Sequence, residues 1–111
     1  MFANVPVGEI ARAREFYERL LGRPPDLVPN EREAAWRLTG TGWLCIELDA
    51  ARAGTALHTL LVGDLDGLLA GLAGRGVQAG PVELIGPGVR QSVVADPDGN
   101  RLKLGQPPAP S

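Results

Sequence analysis

The chain has 111 residues and 11.7 kDa, with 11 basic against 13 acidic side chains and a net charge of −2, which suits one domain and offers no basic cluster for phosphate neutralisation on nucleic acid. No apolar run nears the ~20 residues that span a bilayer, and Met1-Phe2-Ala3-Asn4 carries no leader pattern. One cysteine and one histidine exclude an internal disulfide and a zinc finger, so the expectation is a cytoplasmic domain that acts on something small.

Phe2 to Val7 reads as a short strand. Ile10, Ala13, Phe16, Leu20 and Leu21 then recur at helical spacing, with Glu9, Arg12, Glu15, Glu18 and Arg19 on the other side. Gly22 ends this helix, because Pro24 and Pro25 cannot continue it. Strands follow near Asp26–Pro29, Glu33–Leu38 and Trp43–Leu48, the last two joined by a Gly40-Thr41-Gly42 turn. Ala56–Val62 is a further strand, and Asp64 is a good N-cap for a helix with the stripe Leu65, Leu68, Leu69 and Leu72. Gly67 and Gly71 are expected to weaken this helix by roughly 1 kcal/mol each relative to Ala. Strands near Pro81–Ile85, Val89–Ala95 and Asn100–Gly105 complete the pattern, and the proline-bearing tail from Gln106 to Ser111 reads as disordered.

The chain repeats itself. Val7-Gly8-Glu9-Ile10 opens one amphipathic stretch, and Val62-Gly63-Asp64-Leu65 opens another 55 positions later. Two copies of strand–helix–strand–strand–strand result, an α+β arrangement. Module one covers about 1–50 and module two about 55–106 of a single domain, with 107–111 as the tail.

Val7-Gly8-Glu9, Ala13, Phe16-Tyr17 and Leu21-Gly22 resemble the opening of the vicinal oxygen chelate superfamily. That group holds glyoxalases, extradiol dioxygenases, fosfomycin-modifying enzymes and bleomycin resistance proteins. Asp96-Pro97-Asp98-Gly99-Asn100, followed by Leu102 and Leu104, resembles its closing signature. The resemblance implies paired βαβββ modules forming a curved eight-stranded cup with helices outside, in a chain that forms a homodimer. Asp96-Pro97-Asp98-Gly99 itself is a turn sequence, and neither aspartate is taken as catalytic.

Metal-dependent members of the group draw ligands from four strand positions facing the cup. The resemblance maps these onto Phe2, Leu57, Glu47 and Lys103, of which Glu47 alone can bind a divalent ion. A catalytic site needs about three protein ligands, so no metal and no other cofactor is expected. The lone histidine, His58, is next to a ligand position; by strand alternation it faces the helix side with Leu60 and Val62. A one-residue slip or bulge brings it into the cup, and then Glu47 and His58 become metal candidates.

The same alternation aims Phe2, Asn4, Trp43, Cys45, Glu47, Leu57, Thr59, Gln91, Val93, Arg101 and Lys103 into the cup. Trp36 and Trp43 offer planar faces for stacking on a flat or cationic ligand, and equally suit core or interface filling. Glu47 and Lys103 either form an ion pair in the former metal site or stand solvated at strand ends. The leading expectation is a metal-free binding protein like the bleomycin-type resistance proteins, sequestering or carrying an aromatic or cationic ligand. One alternative is a lyase, isomerase or dioxygenase with a non-standard metal site, or with Glu47 as general base. Another is a non-catalytic structural or regulatory dimer.

Overall fold

The computed structural model describes residues 2–108. The elements follow the order β1 (Phe2–Val7), α1 (Ile10–Leu21), β2 (Leu27–Asn30), β3 (Glu33–Arg37), β4 (Trp43–Leu48), β5 (Leu57–Leu61), α2 (Leu65–Gly74), β6 (Glu83–Ile85), β7 (Val89–Ala95) and β8 (Arg101–Gln106). Each half is thus βαβββ. The eight strands form two four-stranded sheets, ordered β1-β4-β3-β2 and β5-β8-β7-β6. In each, the first strand runs parallel to the last, so the helix between them is the crossover that parallel pairing requires.

The helices form where the sequence can bury one face. On α1, Ala13, Tyr17 and Leu20 are buried, and Gly22 ends the helix in the left-handed conformation with its N–H on the Glu18 carbonyl. The expected apolar stripe omitted Tyr17, yet its side chain is fully enclosed. It belongs to one core cluster with Val5, Val7, Trp36, Leu44 and Ile46, and that core continues through Leu65, Leu72, Val94, Leu102 and Leu104 into the second half. One core therefore serves both modules.

On α2, Asp64 accepts the Gly67 N–H at 3.0 Å, and Leu65 and Leu72 are buried. The helix weakness expected at Gly67 has a structural reason. A Cβ there would come within 2.4 Å of the Asp64 carboxylate, so the glycine makes room for the cap. The expected disorder from Gln106 onward is corrected in its first residue. Gln106 ends β8, and its side-chain oxygen accepts the Leu65 N–H at 2.6 Å, satisfying an amide that has no partner within the helix. Pro107 and Pro108 are exposed and irregular, while 109–111 lie outside the described residues.

Polar bonds fasten the halves to each other. Tyr17 donates its hydroxyl to Asp96 at 2.8 Å, and Asn100 donates to the Pro6 carbonyl at 2.7 Å while accepting the Ala56 N–H at 2.9 Å. Arg75, just past α2, donates to the Arg19 and Leu20 carbonyls at the end of α1. His58 on β5 bonds the Asn4 carbonyl on β1 at 2.9 Å. The two edge strands β1 and β5 thus face each other, and the chain is elongated, with extents of 45 × 27 × 25 Å.

Candidate functional site

Both sheets turn one face to the helices and leave the other open. Residues paired across a ladder point to the same side, so the register assigns the open face of the first sheet. Phe2 pairs with Trp43, Asn4 with Cys45 and Pro6 with Glu47; Arg37, Ala35 and Glu33 continue those rows onto β3. On the second sheet Leu57, Arg101 and Ala95 form one row, Thr59, Lys103 and Val93 the next, and Leu61, Gly105 and Gln91 a third. The alternation expected for Phe2, Asn4, Trp43, Glu47, Leu57, Gln91, Val93, Arg101 and Lys103 is therefore the alternation observed.

Trp36 is a correction. It is wholly buried on the helix side, its ring centroid 6.1 Å from that of Tyr17 and its indole N–H donated to the Arg23 carbonyl at 3.0 Å. The cause is its parity on β3. Ala34 and Trp36 share the core face, while Glu33, Ala35 and Arg37 share the open one. Trp43 is half-buried and stacks on Phe2, with centroids 6.0 Å apart and planes at 27°. Phe2 remains 56% exposed, which leaves this aromatic pair open to a ligand.

Two cavities meet at the junction of the halves. The larger, about 720 Å³, has Phe2, Trp43, Leu38, Leu60, Leu61 and Leu68 among its walls, with His58, Thr59 and Thr39 as polar points. That volume is in the range of small-molecule sites, which are mainly apolar with a few polar groups. The smaller, about 370 Å³, is lined by Asn4, Pro6, Glu47, Asp49, Arg52, Thr55, Ala56, Leu57 and His58. Leu38, Leu60, Leu61 and Leu68 escaped the sequence reading. The repeat locates elements within each half but does not say which ends of the halves meet.

The other expected site residues do not converge. Gln91, Val93, Arg101 and Lys103 occupy the open face of the second sheet, outside both cavities. Glu47 lines the smaller cavity without Lys103, and no ion pair joins them among the described residues. Glu47 is also exposed and so lacks the burial on which a general-base role was premised. His58 keeps the expected parity with Leu60 and Val62, and yet lines both cavities.

Cys45 forms part of the floor between β1 and β3, 6% exposed, with its Sγ 3.9 Å from Glu33 Oε2. Burial first, then the charges of Glu33 and Glu47, pushes its thiol up to about 11. Such a thiol stays protonated and is a poor nucleophile at neutral pH.

The donor set does not fit a divalent metal. Phe2, Leu57 and Lys103 supply no ligand beside Glu47, and no group of three His, Cys, Asp or Glu side chains converges among the described residues. Asp96, in the closing turn, is 6% exposed and accepts from Tyr17, Asn100 Nδ2 and the backbone N–H groups of Asp98 and Asn100. Its oxygens are engaged in holding the turn to α1.

The family model described as the Glyoxalase/Bleomycin resistance protein/Dioxygenase superfamily matches residues 2–104. Among solved structures, the chain is similar to a glyoxalase/bleomycin resistance protein from Catenulispora acidiphila, with 41% identity, 97% of each chain covered and a TM-score of 0.92. It is similar to TnmS3, an antibiotic binding protein from a Streptomyces species, at 26% identity, 96% and 93% coverage and a TM-score of 0.75. A bleomycin-binding protein complexed with bleomycin shares the fold at 23% identity, 93% coverage of both chains and a TM-score of 0.76. No curated protein matches the sequence.

Proposed function

Because the chain belongs to the glyoxalase/bleomycin resistance protein/dioxygenase superfamily, we propose that it binds and sequesters an aromatic or cationic small molecule without a metal or other cofactor. The observation that carries this reading is the half-exposed Phe2–Trp43 stack at the wall of an apolar cavity of about 720 Å³. A flat ligand extends the stack, and each aromatic pair contributes about 0.5–1.5 kcal/mol beyond area burial. His58, Thr59 and Thr39 supply polar contacts that fix orientation. The TnmS3 relative is described as an antibiotic binding protein, and a protective role in the cytoplasm is part of this proposal.

A homodimer is part of the proposal. The open faces expose Phe2, Leu57 and Leu61, with Glu33 and Glu47 outnumbering Arg37 on the first sheet and Arg101 and Lys103 outnumbering Glu83 on the second. Opposite charges on the two faces suit a second copy that lays one face on the other. Light scattering at twice the chain mass supports this arm, and a monomer at micromolar concentration overturns it.

The binding arm is tested by tryptophan fluorescence titration with planar aromatic amines, in EDTA. Saturable quenching that is lost in Trp43→Phe supports the reading. A flat titration across the panel, or quenching that needs an added divalent ion, overturns it.

A further inference from the structure

Resting on that binding reading, we infer that His58 is the specificity-determining residue of a two-chamber site, and that the ligand is one amphiphilic amine lying across it. The two cavities share one side chain, His58. On one side of the imidazole are Phe2, Trp43 and the leucines; on the other are Asn4, Glu47, Asp49, Arg52 and Thr55. An apolar body and a polar head therefore have separate compartments within one molecule's reach.

The ring's hydrogen bonding gives the head its chemistry. Nε2 is 2.9 Å from the Asn4 carbonyl, which can only accept, so Nε2 carries the proton. In the neutral ring Nδ1 is then an acceptor, and it has no partner among the described residues. Glu47 and Asp49 add carboxylate acceptors in the smaller cavity, against one guanidinium from Arg52. None of these three is in an ion pair among the described residues. The excess of acceptors over cations selects an ammonium, which brings three donors and a positive charge. An anionic head meets a carboxylate pair and a lone pair instead, and is rejected.

The Asn4–His58 bond also fixes the ring between two edge strands of different modules. A substitution there alters the one side chain common to both compartments, while the Phe2–Trp43 stack on the apolar side remains.

The experiment compares dansylcadaverine, a planar aromatic with a tethered primary amine, with its N-acetyl derivative, which keeps the body and loses the charge. Energy transfer from tryptophan to dansyl reads binding. The wild-type chain is expected to bind the amine at least about tenfold tighter, equivalent to about 1.4 kcal/mol. His58→Phe and Glu47→Gln, the latter at an exposed position that leaves folding intact, are each expected to shrink that ratio severalfold. Equal binding of both probes to the wild-type chain, or an undiminished preference in either folded variant, overturns the inference and leaves the general binding reading standing. Binding of neither probe to the folded wild-type chain overturns that reading as well.

Discussion

The hydroxyl of Tyr17, in the middle of α1, donates to Oδ2 of Asp96 at 2.8 Å across 79 residues of sequence. Both groups are buried, and Asp96 also gathers Asn100 and two backbone amides. A turn from the second module is thereby fastened to the helix of the first. Tyr17→Phe leaves one carboxylate oxygen short of a donor and is expected to cost ~1–3 kcal/mol. Asp96→Ala strips four donors of their acceptor and is expected to cost more. Urea denaturation of both variants measures this, and the double variant should cost less than the sum, as groups in one network do.

Tyr17 is also the only tyrosine in the chain. Burial, followed by the Asp96 and Asp98 charges and the Asp96 bond, pushes its ionisation far above the ordinary range. Its folded pKa lies above the unfolded one, so this contribution to stability is complete below about pH 10 and is lost as pH rises beyond it. In an alkaline titration, tyrosinate absorbance should appear together with loss of the native circular dichroism signal. Ionisation of Tyr17 in the still-folded chain contradicts this account.

Cys45 should resist thiol reagents. Its thiol is nearly enclosed and pushed up to about 11, so the reactive thiolate is scarce at pH 8. Reaction with a disulfide reagent is expected to be slow in the native chain and fast in denaturant. Fast native labelling would show that the floor between Ala35 and Asn4 opens readily.

Helix α2 makes a test at two glycine- and amide-level details. Gln106→Ala removes the acceptor for the Leu65 N–H and is expected to cost about 0.5–2 kcal/mol, as loss of a helix cap does. Gly67→Ala should destabilise, although Ala is the better helix former by ~1 kcal/mol, because its Cβ would displace the Asp64 carboxylate. Thermal melts of the two variants check both signs.

Much of the fold was legible because it depends on local pattern. The helical spacing from Ile10, the glycine at position 22 and the period-2 strands fall within a residue or two of the observed bounds. Alternation likewise put Phe2, Trp43 and Glu47 on the open face, since parity follows from the strand alone. Trp36 was ambiguous because its parity was not fixed until the pairing of β3 with β4 was known. The Tyr17–Asp96 bond, the Gln106 cap and the cavity around His58 were not legible. The first and last join residues from different halves, the cap joins residues 41 positions apart within the second half, and all three are set by long-range packing which no periodicity encodes.

The most direct test of the account is a ¹H–¹⁵N correlation spectrum of the metal-free chain titrated with a planar aromatic amine. The account predicts saturable shifts centred on the Trp43 indole, Phe2, His58 and Leu61, while the Trp36 indole, buried under α1, moves little. Shifts that require a divalent ion, that avoid these residues, or that never occur across a broad panel would contradict it.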